Sequence, residues 1–171
     1  MRMIAFLAVL ALVAVPAAFA DNAPGQTDRA STLCKQQQTA IGAPAFKLLY
    51  GGGSNAYGLC VSKVASTLRA DQTNAAKQCA AERADASFPT THGAKTFAQF
   101  YGTGKNGSNA FGRCVSSNAK TLEQQHQQET IKAAKTCKAE RTALGPAEFT
   151  KKYGASNAFG KCVSKAAHAT P

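Results

Sequence analysis

The sequence contains no tryptophan, and its four tyrosines and nine phenylalanines make up only 8% of 171 residues. That composition excludes a large aromatic core. Beyond the first twenty residues, no apolar run is long enough to span a bilayer. Carboxylates are scarce, nine against twenty Lys and Arg, and none form the close pair used in glycoside hydrolysis. There is no Cys-x-x-Cys pair and no cluster among the three histidines, so zinc knuckles and a haem-attachment motif are both missing. The nucleophile elbow Gly-x-Ser-x-Gly is missing too. Nor does any stretch keep up the two-residue alternation that marks strands.

What is present begins with MRMIAFLAVLALVAVPAAFA. Arg2, an apolar run from Ile4 to Val15, and small residues at Ala18 and Ala20 make a secretory signal, with cleavage expected after Ala20. The apolar run is short for a permanent anchor. Losing residues 1–20 takes the formal charge from +11 to +10 and leaves enough chain for one domain or a small array. A secreted or cell-surface location follows. In an exported chain, Cys34, Cys60, Cys79, Cys114, Cys137 and Cys162 read as disulfides, and the even number leaves no obligate free thiol.

The mature chain repeats one unit three times. YGGGSNAYGLCVS (50–62) returns as YGTGKNGSNAFGRCVS (101–116) and YGASNAFGKCVS (153–164). Each unit has a leading cysteine, an aromatic pair four residues apart, a glycine, and then Ser-Asn-Ala-aromatic-Gly-x-Cys-Val-Ser. After a polar segment at 21–30, repeat 1 spans 31–73 and repeat 2 spans 74–131, with a polar, turn-prone insertion near 87–96. Repeat 3 and its tail occupy 132–171.

The period is helical. Phe46/Tyr50, Phe97/Tyr101 and Phe149/Tyr153 are i,i+4 pairs on one helix face. Pro44 and Pro146 suit first turns, and Gly51, Gly102 and Gly154 suit left-handed caps. Ser54-Asn55, Ser108-Asn109 and Ser156-Asn157 offer the next N-cap. Gly160 is placed to admit a neighbouring backbone beside Cys162. The trailing helix of one repeat can run into the leading helix of the next. Cys60 to Cys79 is 19 residues and Cys114 to Cys137 is 23, a difference of about one helical turn. The expected fold is an all-α array of three disulfide-stapled helical repeats. Only the pairs 34–60, 79–114 and 137–162 give every repeat the same bond. The other phase, 60–79 and 114–137, forces Cys34 onto Cys162. Loops of this length imply roughly 3–4 kcal/mol per bond from restricting the unfolded chain.

Cys-Lys-Ala-Glu-Arg (137–141), Phe-Thr-Lys-Lys-Tyr-Gly (149–154) and Asn-Ala-Phe-Gly-Lys-Cys-Val-Ser (157–164) together resemble a unit of small exported proteins of high-GC Gram-positive bacteria. The resemblance is closest in repeat 3. It weakens in repeat 1, where Lys-Gln-Gln-Gln follows Cys34. It implies export and assigns no activity and no site residue.

No catalytic, cofactor-binding or metal-binding residue is expected. Gly102-Thr-Gly104-Lys-Asn-Gly107 spells the dinucleotide fingerprint but follows a helical pair where the fingerprint needs a strand, so it reads as a linker. His92, His126 and His168 share no place in the repeat and read as solvated surface side chains. Glu82-Arg83 and Glu140-Arg141 read as helix surface or inter-repeat register. Scattered lysines draw the chain toward anionic partners such as wall polymers or a membrane surface. The aromatics sit at helix-core positions, which disfavours a nucleic-acid stacking platform. The expected function is non-enzymatic binding or a structural role at an anionic cell-envelope component. An exported antimicrobial or toxin-like protein and, more remotely, a hydrolase are the alternatives.

Overall fold

The computed structural model describes residues 25–104 and 106–168; the leader at 1–20 and Lys105 lie outside the described residues. Among the described residues there are seven helices and no strand, and the three disulfides are Cys34–Cys60, Cys79–Cys114 and Cys137–Cys162. The fold is an all-α array of three stapled repeats.

Helix α1 (Gln26–Ile41) carries Cys34 and turns at Gly42 into the short aromatic helix α2 (Ala43–Leu49), with Pro44 in its first turn. Helix α3 (Ala56–Ala84) then runs unbroken from Cys60 of repeat 1 to Cys79 of repeat 2, about 28 Å along the axis. The insertion forms α4 (Phe88–Thr91), and the second aromatic helix is α5 (Phe97–Tyr101). Helix α6 (Ala110–Tyr153) returns from Cys114 to Cys137, about 35 Å, and breaks at Gly145 before Pro146 starts the third aromatic stretch. Helix α7 (Ala158–His168) carries Cys162.

Gly42 and Gly145 each lie eight residues after a leading cysteine and share one backbone conformation, φ/ψ 84°/149° and 77°/156°. A Cβ is strained there, so glycine sets this corner. The expected left-handed cap at Gly102 is corrected: its φ is −78°. Glycine is needed there for space, because a Cβ would meet the Ala98 carbonyl and the Gly107 backbone.

The fused helices fold the array back on itself. Repeats 1 and 3 share one core, built around Phe46, Tyr50, Phe149 and Phe159 with the Cys34–Cys60 and Cys137–Cys162 bonds. Repeat 2 keeps its own core of Phe88, Phe97, Ala110 and Val115 at the far end. Between them the apolar layer thins to Ala30, Leu33 and Leu68. Small residues such as Ala75, Ala133 and Ala134 are fully covered, which lets α3 and α6 approach closely along their length.

The insertion departs from its polar reading. Phe88 is buried and packs on Phe97 and Tyr101, with ring centroids 5.6 and 6.2 Å away. Thr96 and Gln99 close a capping box on α5.

Phe149 is 1% exposed in the shared core, whereas Leu59 is 50% exposed. In guanidinium unfolding of the oxidised protein, Phe149→Ala should cost about 3–5 kcal/mol. Leu59→Ala should stay within about 0.5 kcal/mol.

Candidate functional site

Each disulfide joins a leading to a trailing helix with Cα atoms 6.0 Å apart. One helical turn beyond each leading cysteine stands a side-chain oxygen: Gln37, Glu82 or Glu140. That oxygen accepts from the tyrosine of the aromatic pair. Tyr50 donates to Gln37 at 2.5 Å, Tyr101 to Glu82 at 2.8 Å, and Tyr153 to Glu140 at 3.0 and 3.1 Å. The trailing sulfur lies 3.7–3.8 Å from the same oxygen in all three repeats. The aromatic pairs match as closely, with centroids 5.0, 5.0 and 4.8 Å apart and planes tilted 51°, 50° and 45°. Glu82 and Glu140 are therefore corrected from surface or register residues to clasps within their own repeats.

Repeat 1 uses the neutral amide because its clasp is the buried one. Gln37 is 3% exposed, and its Nε2 donates to Gln127 Oε1 of α6 at 2.7 Å. A carboxylate there would have no cation to offset its desolvation. Glu140 has one: Lys152 donates to it at 2.6 Å, and this contact, aided by the tyrosine, holds the carboxyl below its usual range. Burial pushes the Tyr50 hydroxyl up to about 12, with the Gln37 hydrogen bond acting the other way. Tyr101 is raised to about 12 and Tyr153 is also raised, by burial and then by the carboxylate each one binds.

In the thin middle, polar pairs lace the three long helices together. Arg29 of α1 pairs with Glu123 of α6 at 2.5 Å, and Gln127 Nε2 donates to the Leu33 carbonyl at 3.1 Å. Asp71 of α3, 1% exposed, faces His126 Nδ1 of α6 at 3.2 and 3.3 Å. His126, half exposed, is thus not simply a solvated side chain. The signal for Asp71 was in the sequence: Leu68, Asp71, Ala75 and Cys79 fall on one helix face. These pairs border a groove of about 360 Å³ reached by α1, α3, α6 and α7.

Elsewhere the sequence-based sites disperse. His92 stacks on Phe88 at 3.8 Å and bonds the Phe88 carbonyl through Nδ1. His168 lines the groove rim. The stretch that begins at Gly102 follows α5, and its Thr103 is tied down, the N–H donating to Asn109 Oδ1 at 3.0 Å and Asn109 Nδ2 donating to Thr103 Oγ1 at 2.7 Å. A helix thus precedes it where the dinucleotide fingerprint needs a strand, and at Thr103 the expected free linker is corrected. Asn109 is thereby diverted from capping α6, and Asn55 makes no cap bond either. Asn157 does make such a bond, accepting from the Gly160 N–H at 3.3 Å. A Cβ at Gly58 or Gly160 would strike the asparagine three residues earlier, whereas one at Gly112 would meet nothing. Gly160 thus makes room for a side chain, and the expected backbone approach is corrected.

Because the folded tyrosines hold their protons to higher pH than unfolded ones, the stability they contribute is whole below pH 10 and is lost as pH rises towards 12. For Tyr50 alone the loss should be about 2–3 kcal/mol, and denaturant melts across this window should flatten in Tyr50→Phe. Gln37→Glu should destabilise the fold by roughly 2–4 kcal/mol at pH 7 and by less at pH 4, where protonation removes the buried charge; paired denaturation curves read both. Comparison with protein-family models, curated proteins and solved structures finds no match to this chain.

Proposed function

We propose that the chain is an exported, non-enzymatic binding or structural protein that adsorbs to an anionic cell-envelope component through its third repeat. The observation that carries this reading is the segregation of charge. Residues 132–168 hold eight Lys and Arg against two Glu, a net of +6 within a chain of +11. Both acids are already engaged, Glu140 by Lys152 at 2.6 Å and Glu148 by Lys151 at 3.8 Å. Lys132, Lys135 and Lys138 are exposed at three-residue steps along α6, and Lys161 and Lys165 are exposed on α7. Clustered exposed cations attract polyanions with a strength that falls steeply as salt rises.

Three disulfides agree with an oxidising compartment, and among the described residues no helix is long and apolar enough to cross a membrane. Among the described residues the large exposed apolar side chains are few, Leu59, Phe100 and Leu144, one from each repeat. That favours adsorption over insertion, and so favours a binder over a membrane-disrupting toxin.

Co-sedimentation of the oxidised mature protein with anionic wall polymer and with anionic vesicles should show binding at low salt that is lost at high salt. A Lys132→Glu, Lys135→Glu, Lys138→Glu variant should lose at least about tenfold in affinity, as expected for removing several screened contacts. Binding to neither target, or binding that ignores salt, overturns the proposal. Vesicle leakage transfers it to the toxin class.

A further inference from the structure

Nine carboxylates serve a chain of formal charge +11, yet three of them, Asp71, Glu123 and Glu129, line one groove, walled by α1, α3, α6 and α7 with Leu49 of α2. They are not equivalent. Glu123 is neutralised by Arg29 at 2.5 Å, whereas Glu129 has no ion-pair partner among the described residues. Asp71 is the unusual one. It is 1% exposed, and its only side-chain partner among the described residues is His126 Nδ1, at 3.2 and 3.3 Å. An ionised carboxylate offers about four acceptor positions, and charge-assisted N–H···O bonds run near 2.7–2.9 Å. A desolvated carboxylate served by one long contact retains acceptor capacity, and it borders the groove.

The partner is the movable half of the pair. His126 is 47% exposed at its side chain against 2% for Asp71, so its ring can swing to solvent while the carboxylate stays. The wall beside Asp71 is apolar, with Leu33, Val64, Leu68 and Val163 on the lining. A hydrated metal ion demands an oxygen-rich shell, and no metal-competent grouping of acidic, Cys and His side chains exists among the described residues. An alkylammonium suits both surfaces. Its three N–H donors answer the open acceptor positions of Asp71, and its chain lies along the leucine and valine side chains.

We propose that this groove binds a small organic amine whose ammonium takes the place of the His126 ring on Asp71. Lys63 and Arg29 are the cations at or beside the rim, with the His168 imidazole also on the lining, and Tyr50, Gln37 and Gln127 are the neutral polar groups facing in. The amine site is separate from the basic face of repeat 3 and stands whether or not that face binds an envelope polymer.

The test is an NMR titration of the oxidised protein at constant ionic strength with n-butylamine and 1,5-diaminopentane, against n-butanol as a neutral analogue. The amines should give saturable shifts of the His126 ring and of the Leu33, Leu68 and Val163 methyls, and butanol should give none. Asp71→Asn should weaken amine binding by about tenfold or more, the equivalent of one charge-assisted hydrogen bond. Asp28→Asn, an exposed acid off the groove, should leave it unchanged. His126→Ala strips Asp71 of its internal donor, so amine should bind this variant several-fold more tightly and raise its melting temperature more than that of the parent. That arm decides the matter even where Asp71→Asn folds poorly. Equal shifts from amine and alcohol, unaltered affinity in Asp71→Asn, or no stabilisation of His126→Ala by amine would each overturn the proposal.

Discussion

The covalent bond between a leading and a trailing helix is the constraint from which the remaining structure follows. Holding two helices with Cα atoms 6.0 Å apart brings the residue one turn beyond the leading cysteine against the trailing sulfur. That residue then accepts from a tyrosine hydroxyl arriving from the short aromatic helix. A buried hydroxyl must find an acceptor. The tyrosine's place in turn fixes the phenylalanine four residues before it, and so the aromatic core. Bond, acceptor and ring pair form one unit of geometry, repeated three times with centroid distances agreeing within 0.2 Å. In a chain without tryptophan, this unit supplies order that a larger core would otherwise supply.

Most of that unit was legible. The spacing of Phe46/Tyr50 and its two copies states a helix face. The requirement that three repeats carry the same bond selects the disulfide pairing that the structure has. What hid the clasp was chemistry that changes with burial. Gln37 sits where Glu82 and Glu140 sit, but repeat 1 replaces the carboxylate with an amide because its clasp lies against α6. Read as letters, that substitution weakens the repeat; read as physics, it preserves it. The Asn-Gly pairing of 157 and 160 was hidden for a similar reason, since a missing Cβ says nothing of what fills the space.

The groove was beyond reach for a different reason. Asp71 and His126 are 55 residues apart, and Leu33 and Gln127 are 94 apart; they meet only because two long helices fold the array back. The repeat pattern predicts what is alike in the three units. Repeated residues such as Tyr50, Gly160 and Val163 line part of the groove, but its acids come from what is not alike: the connecting halves of α3 and α6, where no repeated phrase stands. Charge divides along the same line. Cations dominate the C-terminal repeat, while three of the few acids gather in the connecting region.

The fusion of trailing and leading helices also governs how the protein can change over time. Within α3 and α6 each residue advances the helix by about 100° and 1.5 Å. One residue inserted between Cys60 and Cys79 would therefore swing the whole second repeat about a quarter of a revolution relative to the first. The faces that meet α6 would turn away with it. Length in these segments can be gained or lost smoothly only in near-whole turns, like the pitch of a screw thread. The 19- and 23-residue spacings obey this rule. The connection from α3 to α5, which holds the short helix α4, is free of it, and that is where the chain carries its insertion.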